Sequence, residues 1–126
     1  MVLKLYGMDF ATCTKRVRVV LEELGVAYEL VPVDILAGAQ HADVHRAKQP
    51  FGQIPYIEDD DGLVLFESRA ICRYLALRYG GAALGLVPEA GDIAATARFE
   101  QAASVETSNF DPYASGLAYE NVFKAK

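Results

Sequence analysis

Soft metal ligands are scarce in this sequence, with two cysteines, Cys13 and Cys72, and two histidines, His41 and His45, among 126 residues. The cysteines fall in different segments without framework spacing, which excludes a disulfide scaffold and leaves reduced thiols, as expected of a cytoplasmic protein. The histidines are four apart, a spacing that suits one helix face, but no Cys, Asp or Glu joins them at ligand spacing. No metal site is therefore expected, and both are read as surface residues. Basic charge is also short: 12 Lys and Arg against 17 Asp and Glu, a net −5, which argues against nucleic acid or an anionic membrane as the main partner. No run approaches the roughly 18 apolar residues of a membrane span. Residues 1–6 form a short strand-like stretch with no long apolar region behind it, so no signal peptide is expected. Internal repeats and low-complexity segments are missing too.

What is present is the material of a folded protein. With 52% hydrophobic and 23% charged residues, the chain can build one domain with a real core, or one domain and part of another. Val2-Leu3-Lys4-Leu5-Tyr6 alternates as a strand does, and Gly7 ends it. Thr12 or Thr14 is placed to cap a helix whose apolar face is Val17, Val20, Leu21 and Leu24, with Gly25 at its C-cap. Residues 28–33 read as a second strand, which Pro32 places at an edge or gives a bulge. Residues 36–49 are polar, with one short helix expected around 42–47.

The most informative stretch is Pro50-Phe51-Gly52-Gln53-Ile54-Pro55-Tyr56-Ile57-Glu58, together with the residues from Asp59 to Ile71. Two strand-length apolar runs, 54–58 and 63–66, flank the acidic quartet Asp59-Asp60-Asp61-Gly62 and predict a hairpin. Glu67-Ser68 then precedes Ala70, Ile71, Tyr74 and Leu75 at helical spacing, so Ser68 reads as the N-cap of a helix running to about Tyr79. The open N–H donors and partial positive charge of such a helix end suit a carboxylate. Gly80 and Gly81 close that helix. Residues 83–91 read as a linker, and Asp92 starts a new helix that Asp111-Pro112 is expected to interrupt or kink. A further helix over about 114–123 is weakened by Gly116.

The strings PFGQIP and FESRAICRYLA, in this order and at this spacing, resemble the glutathione-binding half of a glutathione transferase, closest to the phi type of plants and fungi. The likeness runs from Leu3 to about Phe110. It implies an α/β thioredoxin-like domain (βαβ-α-ββα) over residues 1–82, the linker 83–91, and the incomplete start of an all-helical domain over 92–126. It also implies a cytoplasmic homodimer that conjugates glutathione, as co-substrate and without a further cofactor, to small apolar electrophiles in detoxification. Glu67 and Ser68 resemble the pair that holds the γ-glutamyl end, and Gln53 the side chain that assists there. Ile54 resembles the residue whose backbone pairs with the cysteinyl part, and Pro55 is expected to be cis as in the family. For the glycyl carboxylate the family uses a His-Lys pair. A gapless count puts Gln40 and His41 on those places, and a one-residue deletion puts His41 on the histidine and Ala42 on the lysine.

The sequence departs from the phi pattern at the first helix. Thr12-Cys13-Thr14-Lys15-Arg16-Val17 matches, but Ala11 stands where the family has a serine whose hydroxyl donates to the glutathione sulfur and favours the thiolate. Thr12 is the adjacent hydroxyl that can substitute. Arg16 adds positive potential or is an exposed helix arginine. A cysteine in the first turn of a helix can act as a thiolate, which makes Cys13 the candidate for a glutathione thiol transferase. It lies two residues past the family position, about 200° round the helix, where it reads as partly buried and inert. Cys72 reads as core, Tyr6 as packing and Lys48 as surface. Three functions are thus open: conjugation, non-catalytic binding of glutathione or an apolar ligand, and Cys13-based thiol transfer.

Overall fold

In the computed structural model, residues 2–124 are described. Strand β1 (Leu3–Gly7) lies inside a four-stranded sheet of order β2-β1-β3-β4, with β2 at Tyr28–Pro32, β3 at Tyr56–Glu58 and β4 at Val64–Phe66. β1 runs parallel to β2 and antiparallel to β3, and β3 is antiparallel to β4. Parallel pairing requires a crossover, and α1 (Thr12–Leu24) supplies it. β2 lies at the edge of the sheet, one of the two placements that Pro32 allows. A turn of 3-10 helix (Ala39–His41) and the short α2 (Asp43–Arg46) lead to the hairpin, and α3 (Ser68–Arg78) comes after it. This is the thioredoxin-like order expected from the sequence.

Alternation in β1 decides which face becomes core. Leu3 and Leu5 are buried with Ile57, Val17, Leu21, Ile71 and Leu75, so α1 and α3 pack together against one side of the sheet. Lys4 and Tyr6 point the other way. There Tyr6 stacks on Tyr56, its register partner, at 4.3 Å between ring centroids, and its hydroxyl donates to Glu58. Tyr6 is thus a packing residue, as expected. Cys72 packs beside the core, and burial pushes its thiol up to about 11.

Several local readings are corrected. Neither Thr12 nor Thr14 caps α1: Ala11 holds the N-cap, Thr12 is the first helical residue, and the buried Thr14 hydroxyl accepts from Met8 N. Ser68 likewise lies inside α3, whose N-cap is Glu67. β3 begins at Tyr56 and not at 54, since Pro55 has no N–H for the ladder. Gly25, at φ 65, closes α1 as predicted, with Val26 N donating to Leu21 O.

The structure divides into two compact units, residues 1–86 and 87–126. In the second, α4 (Ile93–Val105) starts at Asp92, whose carboxylate accepts from Ala95 N at 2.9 Å. Asp111-Pro112 does not end the helix. Glu106–Phe110 winds as a wider π turn, and α5 (Asp111–Ala118) continues with Asp111 still helical at φ −59 and ψ −41. The wide turn accommodates the bond that Pro112, lacking an N–H, cannot give. A second π turn spans Tyr119–Phe123.

Candidate functional site

The start of α3 is built by an unusual backbone. Glu67 has φ 71, and it is the non-glycine residue with positive φ among those described. Holding such a conformation costs about 1–3 kcal/mol and is common where a site requires it. Glu67 O still accepts from Ile71 N, which turns the chain into the helix, while the Glu67 side chain is exposed and Ser68 is buried. α1 packs on α3 and brings Arg16 to this corner. Its Nη1 donates to Ser68 Oγ at 2.7 Å and lies 3.5 Å from Cys13 Sγ. A guanidinium can only donate. Ser68 Oγ is therefore the acceptor, and its own proton remains for another partner.

The chain before β3 closes the other side. The Ile54–Pro55 peptide is cis, as expected from the sequence. Gln53, Ile54 and Pro55 meet Glu67, Ser68, Arg69, Gln49 and Cys13 around a cavity of about 90 Å³. A larger recess of about 360 Å³ shares Cys13, Gln53 and Ile54 with it and adds Ile35, Gln40 and Gly52. Of the candidates named from the sequence, Cys13, Gln53, Ile54, Pro55, Glu67 and Ser68 thus border the small cavity. The cavity joins the N-terminus of α3, the Glu67 carboxylate and the chain at Ile54–Pro55, with the Arg16 guanidinium bonded to its wall residue Ser68. That set can take a carboxylate, an ammonium and an extended peptide at once.

Thr12 and His41 border neither cavity. Thr12 is exposed on the first turn of α1. His41 is also exposed, its ring set against Gly52, where an added Cβ would come within 2.8 Å of Nδ1. Gln40 is the member of that pair that reaches the larger recess. Its Nε2 lies 3.3 Å from His41 Nε2, and its Oε1 is buried without a hydrogen-bond partner among the described residues.

Three residues differ from their sequence reading or had none. The sequence leaves Arg16 as a source of positive potential or an exposed helix arginine, without a partner residue. The 3.6-residue period does place it on the same face of α1 as Cys13, but only packing against α3 brings Ser68 within reach. His45 reads as surface and is in fact 5% exposed, with Nε2 2.7 Å from Gln53 O. Gln49, 1% exposed, has no sequence signal at all. Lys48 pairs with Glu58 at 3.2 Å on the surface. Among the described residues the carboxylates close enough for a metal are Asp59, Asp60 and Asp61, and Arg78 pairs with all three.

The family model described as glutathione S-transferase, N-terminal domain, matches residues 1–77. The chain belongs to the glutathione S-transferase family. It is similar to glutathione S-transferase PM239X14 of Arabidopsis thaliana, 51% identical over 96% of this chain and 56% of that protein. Among solved structures it resembles glutathione transferase F7 from Populus trichocarpa, with a TM-score of 0.85 and 38% identity over 97% of this chain and 56% of that one. It also resembles maize glutathione S-transferase I, solved in complex with an atrazine glutathione conjugate, with a TM-score of 0.87 and 29% identity over 98% of this chain and 55% of that one. The likeness is to the phi type, as the strings around Pro55 and Ser68 indicated. This transferase-family chain spans little more than half the length of the curated relatives it matches.

Proposed function

We propose that this chain holds glutathione in the cavity at the start of α3 and that the protein conjugates it to small apolar electrophiles. The thiol loses its proton, the thiolate attacks the electrophilic carbon, and a C–S bond forms as the leaving group departs. What carries the reading is the convergence of Glu67, Ser68 and the Ile54–Pro55 backbone on one small cavity, with Arg16 bonded to Ser68. The γ-glutamyl carboxylate goes to Ser68 and the helix N–H groups, its ammonium to Glu67, and the cysteinyl backbone to Ile54. The conjugate held by the maize relative supports the same chemistry. The reaction asks for glutathione as co-substrate and no further cofactor. We place the protein in the cytoplasm as a homodimer; no helix among the described residues is long and apolar enough to cross a membrane.

The test is calorimetry with glutathione on the chain and its Ser68→Ala variant. Loss of a hydrogen bond to a charged group should weaken binding by about 1–3 kcal/mol. Unchanged affinity with the fold intact would overturn this site.

One observation favours a second reading. Cys13 borders both cavities, whereas Ala11 has no hydroxyl and Thr12 borders neither. In thiol transfer the Cys13 thiolate attacks a mixed disulfide of glutathione, forms a protein–glutathione disulfide and releases the other thiol; a second glutathione then frees Cys13 and leaves as glutathione disulfide. Loss of thiol-transferase activity in Cys13→Ser, with conjugation retained, separates the two. Retention on a glutathione resin without either activity would identify a binder.

A further inference from the structure

The segment between α2 and β3 carries an arrangement that its surface position does not require. α2 has four residues, too few for a helix to hold itself without tertiary support. Two polar side chains here are buried, His45 within α2 at 5% exposure and Gln49 just after it at 1%. Burying polar groups is unfavourable unless they are paired, and both are paired to the same residue. His45 Nε2 lies 2.7 Å from Gln53 O, and Gln53 N donates to Gln49 Oε1 at 3.2 Å. A carbonyl can only accept, so His45 carries its proton on Nε2. The ring is steadied in turn by Tyr56, edge-on at 5.1 Å and 78°. Both backbone groups of Gln53 are thus held from within the protein, although its side chain is exposed. An exposed loop residue can leave its backbone to water at little cost. Two buried partners for one such residue make sense if its position matters, and Gln53 and Ile54 both border the two cavities.

We propose that His45 and Gln49 are positioning residues: they clamp the Gln53 peptide and so set the ligand-facing backbone of Gln53 and Ile54. The proposal rests on the glutathione reading above. It predicts that the clamp acts on affinity for the tripeptide more than on the stability of the fold, because a peptide ligand must meet a backbone already in place.

The experiment uses His45→Phe, which keeps a ring against Tyr56 and loses the donor, and Gln49→Met, which keeps the length and loses the acceptor. Each is made separately, so failure of one to fold leaves the other. Glutathione affinity is measured by calorimetry, thermal midpoint by circular dichroism, and exchange of the Gln53 amide by NMR in the ligand-free chain. The expected result is binding about tenfold weaker in each variant, faster exchange of the Gln53 amide in Gln49→Met, and a midpoint near that of the unchanged chain. Variants that bind glutathione as the unchanged chain does, whether or not they melt earlier, overturn the proposal. If the unchanged chain itself does not bind glutathione, the functional reading fails first and takes this one with it.

Discussion

At the start of α1 the N-cap is Ala11, at φ −72 and ψ 130, with no side chain to accept from the first turn. Its own N–H is bonded to Met8 O at 3.0 Å, so the backbone is settled without a cap. Serine fits this conformation and brings an oxygen that can accept from Cys13 N or Thr14 N. Ala11→Ser is therefore expected to raise stability by about 0.5–2 kcal/mol, read from urea unfolding. In the phi pattern a hydroxyl at this position donates to the glutathione sulfur, and a serine here would favour the ionised form of a bound thiol in the same way. Conjugation of a generic electrophile should then gain at neutral pH, with the pH–rate profile moving to lower pH. A profile identical to that of the unchanged chain would show that sulfur activation does not pass through this helix end.

The hairpin and α3 are joined by a second polar cluster, at the end of the hairpin away from the cavity. Asp59, 1% exposed, accepts from Tyr74 at 2.5 Å, Tyr79 at 2.8 Å and its neighbour Asp60 N at 2.8 Å. Arg78 reaches it at 3.2 Å. Burial pushes the Asp59 carboxyl up, but these hydrogen bonds and the Arg78 charge outweigh it and leave it below the ordinary carboxylate value. Burial and the bonds to Asp59 push the Tyr74 hydroxyl well up and raise Tyr79 too. The two signs bracket a window. Asp59, lowered in the folded state, contributes stability above its unfolded value near pH 4, lost as pH falls through the folded value. The tyrosines, raised in the folded state, contribute stability below their unfolded value near pH 10, lost as pH rises through the folded one. Asp59→Asn should cost about 1–3 kcal/mol at pH 7 and flatten the acid limb. Urea midpoints taken from pH 7 down to pH 2 check this; two curves that stay parallel would remove Asp59 from the acid response.

At the scale of the molecule, the two units bury their apolar residues unequally. The core cluster Leu3, Leu5, Val17, Leu21, Ile57, Ile71 and Leu75 lies entirely in residues 1–86. In α4, the π turn after it and α5 no described residue is buried, and Ile93, Phe110, Tyr113 and Leu117 are exposed by 83%, 62%, 76% and 68%. Apolar surface on this scale favours association. The chain is expected to be dimeric or larger by light scattering at micromolar concentration, and replacing Ile93 and Phe110 with Lys should shift it toward monomer without loss of glutathione binding. A monodisperse monomer from the unchanged chain would refute this.

Periodicity and turn chemistry in the sequence determined the element order, the inward face of β1, the apolar face of α1 and the Gly25 cap. These depend on local spacing, which survives in a linear string. The strings around Pro55 and Ser68 carried the family and most of the cavity's wall for the same reason: each is a short local motif. Other features depend on what folding brings alongside. Arg16 and Ser68 are 52 residues apart and meet only because α1 packs on α3. His45 and Gln49 look like polar surface until the chain returns Gln53 to them, and burial then makes their bonds matter. That Glu67, and not Ser68 as the spacing predicts, caps α3 was likewise settled by a backbone angle that no spacing encodes. Helix α5 starts at Asp111 with Pro112 in its first turn, directly after a π turn, a cooperative adjustment of several residues that no local rule for proline describes.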